Sequence, residues 1–432
     1  MLACVKGARG VGAIVPGSRR ALMGGRPGQR CALWGCSAPY TGLAHNSGGS
    51  RPRPSSVPSL QPSPSTALSF FLCSEGVEDL GELKRPLNLE NLTRFQAMSL
   101  PSMNKEGEEL LLVCVAGRFD LPPAGRPSNE PPRPSEEQRP PVMEDIYWGE
   151  PGTSSLRYEG QTAYMRPGTD IYVSGHAWAP RGKPVTELLA AVKVGPCQKG
   201  VRVFGTRVWY RGALGLKASA PRPFESIPLR FERSFGGVAA ATGKEPRAYE
   251  PRNPVGIGIY GSAKEALEQR LPNLEDPLQL MTAPTERVPP ACFGPIARSW
   301  QPRLGFAGTY DEAWVEQRAP LWPRDFDPRF FHAASPGLVA SPGLKGGEPV
   351  VLAGLSPDGQ IACPLPRHRL MVKSVFRHRI ARRELTLDAV QIEPDEHAVT
   401  LIWRAAIPAH RELAQYEYSV LRDLEPWEEL SQ

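Results

Sequence analysis

The sequence predicts a mainly β protein, with antiparallel, sandwich-like sheets, a long loop-rich middle and a few short helices, preceded by a disordered N-terminal tail. Three observations carry that class. Short runs of β-forming apolar residues recur along the body, and Gly and Pro punctuate them too closely for long helical faces. In addition, Leu385, Leu387 and Ala389 alternate with polar Thr386 and Asp388, the period of a strand with one wet face in an antiparallel sheet.

The first segment to justify is residues 1–86, expected to be disordered or a mis-assigned extension. From Met1 to Ser74 there is no Asp or Glu, and the run from Ser47 to Ser65 is Ser, Pro, Gly and Arg text without enough apolar surface to offset chain entropy. No Met lies between Met23 and Met98, so a start near Leu87 would need an unusual codon. Glycines break the stretch from Gly7 to Pro16 before a secretory apolar segment forms.

Strands are expected at Leu110–Phe119, Asp170–Trp178, Val185–Val194, Val201–Tyr210, Pro228–Phe235, Pro349–Leu355, Ile361–Val372, Leu385–Ile392 and Ala398–Ile407. Pro180-Arg181-Gly182 and Pro357-Asp358-Gly359 are turn text between them. These assignments divide the body into a first β part (87–238), an irregular layer (239–341) and C-terminal strands (342–410), with 411–432 as a tail. Two short helices interrupt the irregular layer. Ser262 with Glu265, and Thr309 with Glu312, have the capping-box spacing before apolar residues.

Charge and cysteine usage narrow the function classes. Lys6, Arg9, Arg19, Arg20, Arg26, Arg30, Arg51 and Arg53 lie before Ser74; removing those eight charges from the formal +6 leaves −2 for the remainder. The body therefore has no basic excess for nucleic acid. No run approaches the ~18 apolar residues of a membrane helix, so a soluble, cytoplasmic protein is expected, with neither nucleic acid nor membrane as a partner. Cys114, Cys197, Cys292 and Cys363 are scattered singly, as in a reducing compartment, and Cys31 with Cys36 lacks the second ligand pair of a zinc site.

No catalytic or cofactor motif is complete, so no cofactor or metal is expected. Gly256, Gly258 and Gly261 match the dinucleotide spacing, but Glu250 to Pro254 stands where a buried strand must lead in. Gly237 to Lys244 has the wrong glycine spacing for a phosphate loop, with Glu245 where a Ser or Thr would hold magnesium. Ser174 and His176 lack a nucleophile elbow, and the histidines at 176, 332, 368, 378, 397 and 410 are isolated. Acidic pairs occur at Glu144 with Asp145, Glu275 with Asp276, and Asp325 with Asp327; each reads more simply as a cap or ion pair than as a glycosidase dyad.

The most distinctive text is YWGEPGTSSLRYE from Tyr147 to Glu159, which mixes aromatic, charged and turn residues without apolar periodicity. RPGTD from Arg166, FERSFGG from Phe231, RNPVG from Arg252, LPNLEDP from Leu271, FGPIARSWQPR from Phe293 and AGTYDEAW from Ala307 continue in the same style. In this order, over about Leu87 to Pro408, the strings resemble the bacterial domain of unknown function 2169 family. Its members sit among type VI secretion components as accessory or adaptor proteins. The resemblance implies a non-enzymatic adaptor or chaperone that binds a secreted effector or its spike-tip domain and helps load it on the secretion spike.

Residues expected to carry that binding are Trp148, Glu150, Arg157, Glu232, Arg233, Asn253, Asn273, Glu275, Arg298, Trp300, Tyr310 and Asp311. Trp and Arg dominate protein interfaces because a rigid plane or planar cation can be fully desolvated against a partner. Trp178 and Trp209, on strand text, are expected in the core, whereas Trp148, Trp300 and Trp314 are expected on a binding face. The alternatives are a carbohydrate-active hydrolase using paired carboxylates and Trp platforms, with Glu275 or Asp325 facing a second carboxylate across a cleft, and a structural module without a client.

Overall fold

The computed structural model describes residues 87–240, 247–411, 413–425 and 427–428. The expectations for residues 1–86, and part of the glycine-rich run from Gly237 to Lys244, lie outside the described residues.

Three sheets organise this region. In the largest, Val339–Ala340, Thr169–Val173, Thr386–Glu393, Ala398–Pro408, Glu109–Asp120 and Gln96–Met103 follow one another, and Arg133–Pro134 adds to the end of Glu109–Asp120. All pairings are antiparallel except Thr169–Val173 with Thr386–Glu393. The second sheet runs Leu274–Glu275, Cys197–Phe204, Glu187–Val194, Pro349–Ala353, Ile361–Pro364, all antiparallel. In the third, Leu89–Asn91 pairs in parallel with Tyr416–Asp423, followed by the antiparallel Leu370–Phe376 and Arg379–Glu384.

The mainly β, antiparallel character is thus as the sequence predicts, and one hydrophobic core joins the sheets. The run from Leu110 to Phe119 is buried throughout, because elements cover both faces of its strand. Gly117 has a specific packing reason: a Cβ there would come within 2.8 Å of Phe95 and 2.9 Å of Trp403, two rings stacked at 5.5 Å across it. A second, smaller core of Trp209, Phe235, Ile259, Leu271, Met281 and Val288 holds part of the loop-rich middle.

Several expectations need correction. Thr386–Glu393 has no wet face beyond its first residue: Asp388 is buried, placed at a register shift between Leu387 and Ala389, and ion-paired to buried Arg404. Alternation here records a charge pair inside the protein. Pro228–Phe235 is mainly a single 3₁₀ turn, Phe231–Arg233, between short strands. The helix near residue 312 spans Glu312–Gln317 and is capped by Asp311, whose carboxylate accepts from the Trp314 amide at 2.8 Å; Thr309 instead donates to Asp325. The expected cap at Ser262 forms, with Glu265 reaching back to the Gly261 amide at 3.0 Å. Residues after Arg411 are not a mere tail, since Tyr416–Asp423 is an interior strand of the third sheet.

Candidate functional site

The Tyr147–Glu159 string folds as a hairpin in which Ile146–Tyr147 pairs with Leu156–Tyr158. Its loop is held by short polar side chains, as its composition requires. The Gly149 amide donates to Ser154 Oγ at 3.0 Å, the Trp148 amide to the Ser155 carbonyl at 3.0 Å, and Gly152 supplies the left-handed φ of 81°. Ser155 anchors the hairpin by donating its amide and hydroxyl to the two oxygens of Glu232, each at 2.7 Å.

This bracing fixes Trp148 at the surface. Half-buried, its ring meets two guanidiniums, Arg230 at 3.8 Å and Arg157 at 4.6 Å from the ring centroid. Such cation–π contacts orient the ring at low entropic cost and leave its remaining surface for another contact.

Beside it lies an acidic turn at the end of the two central strands of the large sheet, Glu393 to Glu396. Glu396 takes three arginines, Arg118, Arg139 and Arg157, each at 3.1 Å. Asp395 accepts from Trp178 Nε1 at 2.8 Å and meets His176 Nδ1 at 2.7 Å. Glu393 accepts from the Tyr158 hydroxyl, with Arg118 at 3.6 Å. Burial pushes the Glu393 carboxyl up, against the lowering effect of Tyr158 and the arginines. For Asp395 and Glu396 burial also acts upward, but His176 and Trp178 on one, and Arg118 and Arg139 on the other, hold them low. Arg118, Arg139, Tyr158, Gln161 and Glu393 share a cavity of about 70 Å³. A drug-sized ligand needs roughly 300–1,000 Å³, so this space suits a few water molecules.

Behind the hairpin the same residue types form a closed, buried network. Glu159 receives Arg303 at 2.5 Å and Arg166 at 2.7 Å, and Arg166 also bonds Asp170 at 2.5 Å. Asp170 further accepts from Tyr172, from His332 at 2.6 Å and from the Ala333 amide at 2.7 Å. Burial alone would raise both carboxyls; Arg303 and Arg166 outweigh it at Glu159, and Arg166 with His332 brings Asp170 to about 2. The remaining donors of Arg303 go to the carbonyls of Ile296 and Phe330, whereas the buried Arg166 Nε has no hydrogen-bond partner among the described residues.

The hairpin, the acidic turn and the buried network all fall within residues 106–404, which match the model of a family described as an uncharacterized protein conserved in bacteria, domain of unknown function 2169. The chain belongs to that family. No curated protein and no solved structure matches it.

The structure separates the twelve candidate residues of this family member into groups. Trp148 and Arg157 share the exposed face, with exposed Glu150 at the hairpin loop and half-buried Glu232 beneath. Half-buried Arg298 points inward, 3.5 Å from Asp145 and 4.0 Å from Glu159, and half-buried Arg233 donates to Asn273 Oδ1 at 3.2 Å. Four are buried and held by contacts within the protein. Asn253 donates to the carbonyls of Phe231 and Phe235; Asn273 bridges Arg233 and the Phe204 carbonyl; Glu275 holds Arg207 and the Met281 amide; Trp300 packs edge-on against Phe231 at 5.4 Å. Tyr310 packs on Trp314 at 4.8 Å and Asp311 caps the helix. Trp178, expected in the core, is half-buried on Asp395, so it and Trp300 exchange roles. Trp209 is fully buried as expected.

The decoy motifs resolve into packing. Added Cβ atoms at Gly236 and Gly256 would fall 2.1 Å from the Asn253 carbonyl oxygen and 2.4 Å from its Nδ2, so these glycines let the backbone close around a buried asparagine. The helix after Gly261 is four residues long. Asp325 accepts from the Thr309 amide and hydroxyl, and Glu275 is taken by Arg207. Among the described residues no acidic, His or Cys cluster is arranged to hold a metal, and no helix is long and apolar enough to cross a membrane. Sequence reasoning missed Glu393, Glu396, Arg118 and Arg139. The acidic text of residues 393–396 between two strand signals was a usable cue, but its arginines come from elements far away in sequence.

Proposed function

We propose that this protein is a non-enzymatic binding protein, an adaptor or chaperone that holds a type VI secretion effector or its spike-tip domain in the cytoplasm for loading on the secretion spike. The observation that carries the binding role is half-buried Trp148, in contact with Arg157 and Arg230 on a hairpin that Ser155, Glu232 and the Glu159 network brace. A prepositioned aromatic plane flanked by arginines is the composition of an interface hot spot. The small volume beside Glu393 and the engagement of Glu275 and Asp325 in bonds within the protein agree with binding as its task. The secretion assignment rests on the resemblance of the ordered strings from Tyr147 to Trp314, and its test is genetic. Deleting the gene in its native host should lower both the amount and the export of one effector, because a bound client is stabilised by mass action. Unchanged effector level and export in the deletion strain refute it.

A further inference from the structure

A second face, distant in sequence from the Trp148 hairpin, has a different chemistry. Arg379–Glu384 ends the third sheet, and no further strand among the described residues pairs with it. Its register against Leu370–Phe376 sets Arg382 directly opposite Lys373 and Ile380 opposite Val375, while Tyr418 lies opposite Val375 on the far side. On that outward face Ile380 is 52% and Tyr418 37% exposed.

Two features are unfavourable in the isolated molecule. Like charges directly opposite each other on adjacent strands repel, and among the described residues neither Lys373, Arg382 nor the neighbouring Arg383 has a carboxylate within ion-pair distance. Among the described residues no strand takes up the outward backbone donors and acceptors of this edge, which lie beside an exposed apolar row, an arrangement open to strand addition. A lone lysine would be enough to discourage pairing with a second copy. Consecutive Arg382 and Arg383, on opposite faces of the strand, instead match a partner strand with acidic side chains on both faces.

We infer that the free edge of Arg379–Glu384 is a docking site for an extended, acidic segment of a partner protein, which adds as a strand and sets carboxylates against Lys373, Arg382 and Arg383. Nucleic acid fits less well, because the alternating amides and carbonyls of the edge and the Ile380, Val375 and Tyr418 row call for a polypeptide. The inference goes beyond the Trp148 face and holds for any client of that face.

The test uses the full chain and a short fluorescent peptide alternating Glu-Glu with Val-Val, which sets carboxylates on both faces of an extended strand, read by anisotropy. A peptide of the same composition interrupted by proline, and an oligo-dT strand of equal charge, serve as competing probes. The expected result is saturable binding of the alternating peptide that weakens with salt, falls by at least about tenfold in R382E/R383E, and is lost with the proline peptide. Both substituted side chains are exposed, and an unchanged Tm for the variant confirms its fold. No binding of the alternating peptide, equal binding of the proline peptide, or tighter binding of the oligonucleotide overturns the inference.

Discussion

On the inner side of the Tyr147–Glu159 hairpin, Arg166 and Arg303 close on Glu159, and every carboxylate oxygen there meets a donor from within the protein. On its outer side, Arg157 and Arg230 close on Trp148 and leave part of the ring in solvent. The same residue types, a few positions apart, are enclosed in one place and half-exposed in the other. Charge density alone therefore does not separate the two; burial does, since Glu159, Arg166 and Arg303 are enclosed and Trp148 is not.

The comparison breaks most sharply at the buried side. Glu159→Gln leaves two buried guanidiniums facing a neutral amide and should cost about 3–5 kcal/mol in denaturant unfolding. A loss below about 1 kcal/mol, the scale of an exposed ion pair, would mean that the network is hydrated. Trp300→Ala, beneath the same region, should cost a similar ~3–5 kcal/mol through its cavity, in contrast to any Trp on the outer face.

The next effect is pH dependence. Asp170 is held at about 2, below the ordinary carboxylate value. Its folded value is depressed, so its contribution is fully present above about pH 4 and is lost as pH falls toward 2, an effect of about 2 kcal/mol. Asp170→Asn should flatten that part of the acid limb in a series of unfolding curves. An unaltered limb would assign acid sensitivity to other carboxylates.

How much of this was open to inspection of the sequence depends on where each signal resides. Glu109–Asp120 and Ala398–Pro408 announce themselves as unbroken apolar runs because both of their faces are covered. Gln96–Met103 does not, since Pro101 argues against an interior strand and is tolerated here at a sheet edge. Arg379–Glu384 hides for the related reason that an exposed edge needs no apolar face. At the site, Trp148 and Arg157 are legible as unusual text, whereas Glu393 and Glu396 gain meaning only when strand pairing brings Arg118, Arg139 and Arg157 to them. The text around Trp178 reads as strand and that around Trp300 as polar turn, and the packing of whole elements decides otherwise.

The smallest stability effect is expected on the outer side. Trp148→Ala should shift unfolding by less than about 1 kcal/mol, because the ring is half-buried and closes no core. In binding, the same change should cost about 2 kcal/mol or more if the ring is a hot spot. Loss of stability as large as that of Trp300→Ala would make Trp148 a packing residue.

The proposed function has the braced Trp148 face hold a client without supporting the fold. It is tested most directly by capturing W148A/R230A and the unmodified protein from the native host and quantifying the co-purified secretion effector. The account predicts a folded variant with an unchanged Tm and at least about tenfold less effector. Equal effector recovery by that folded variant would contradict it.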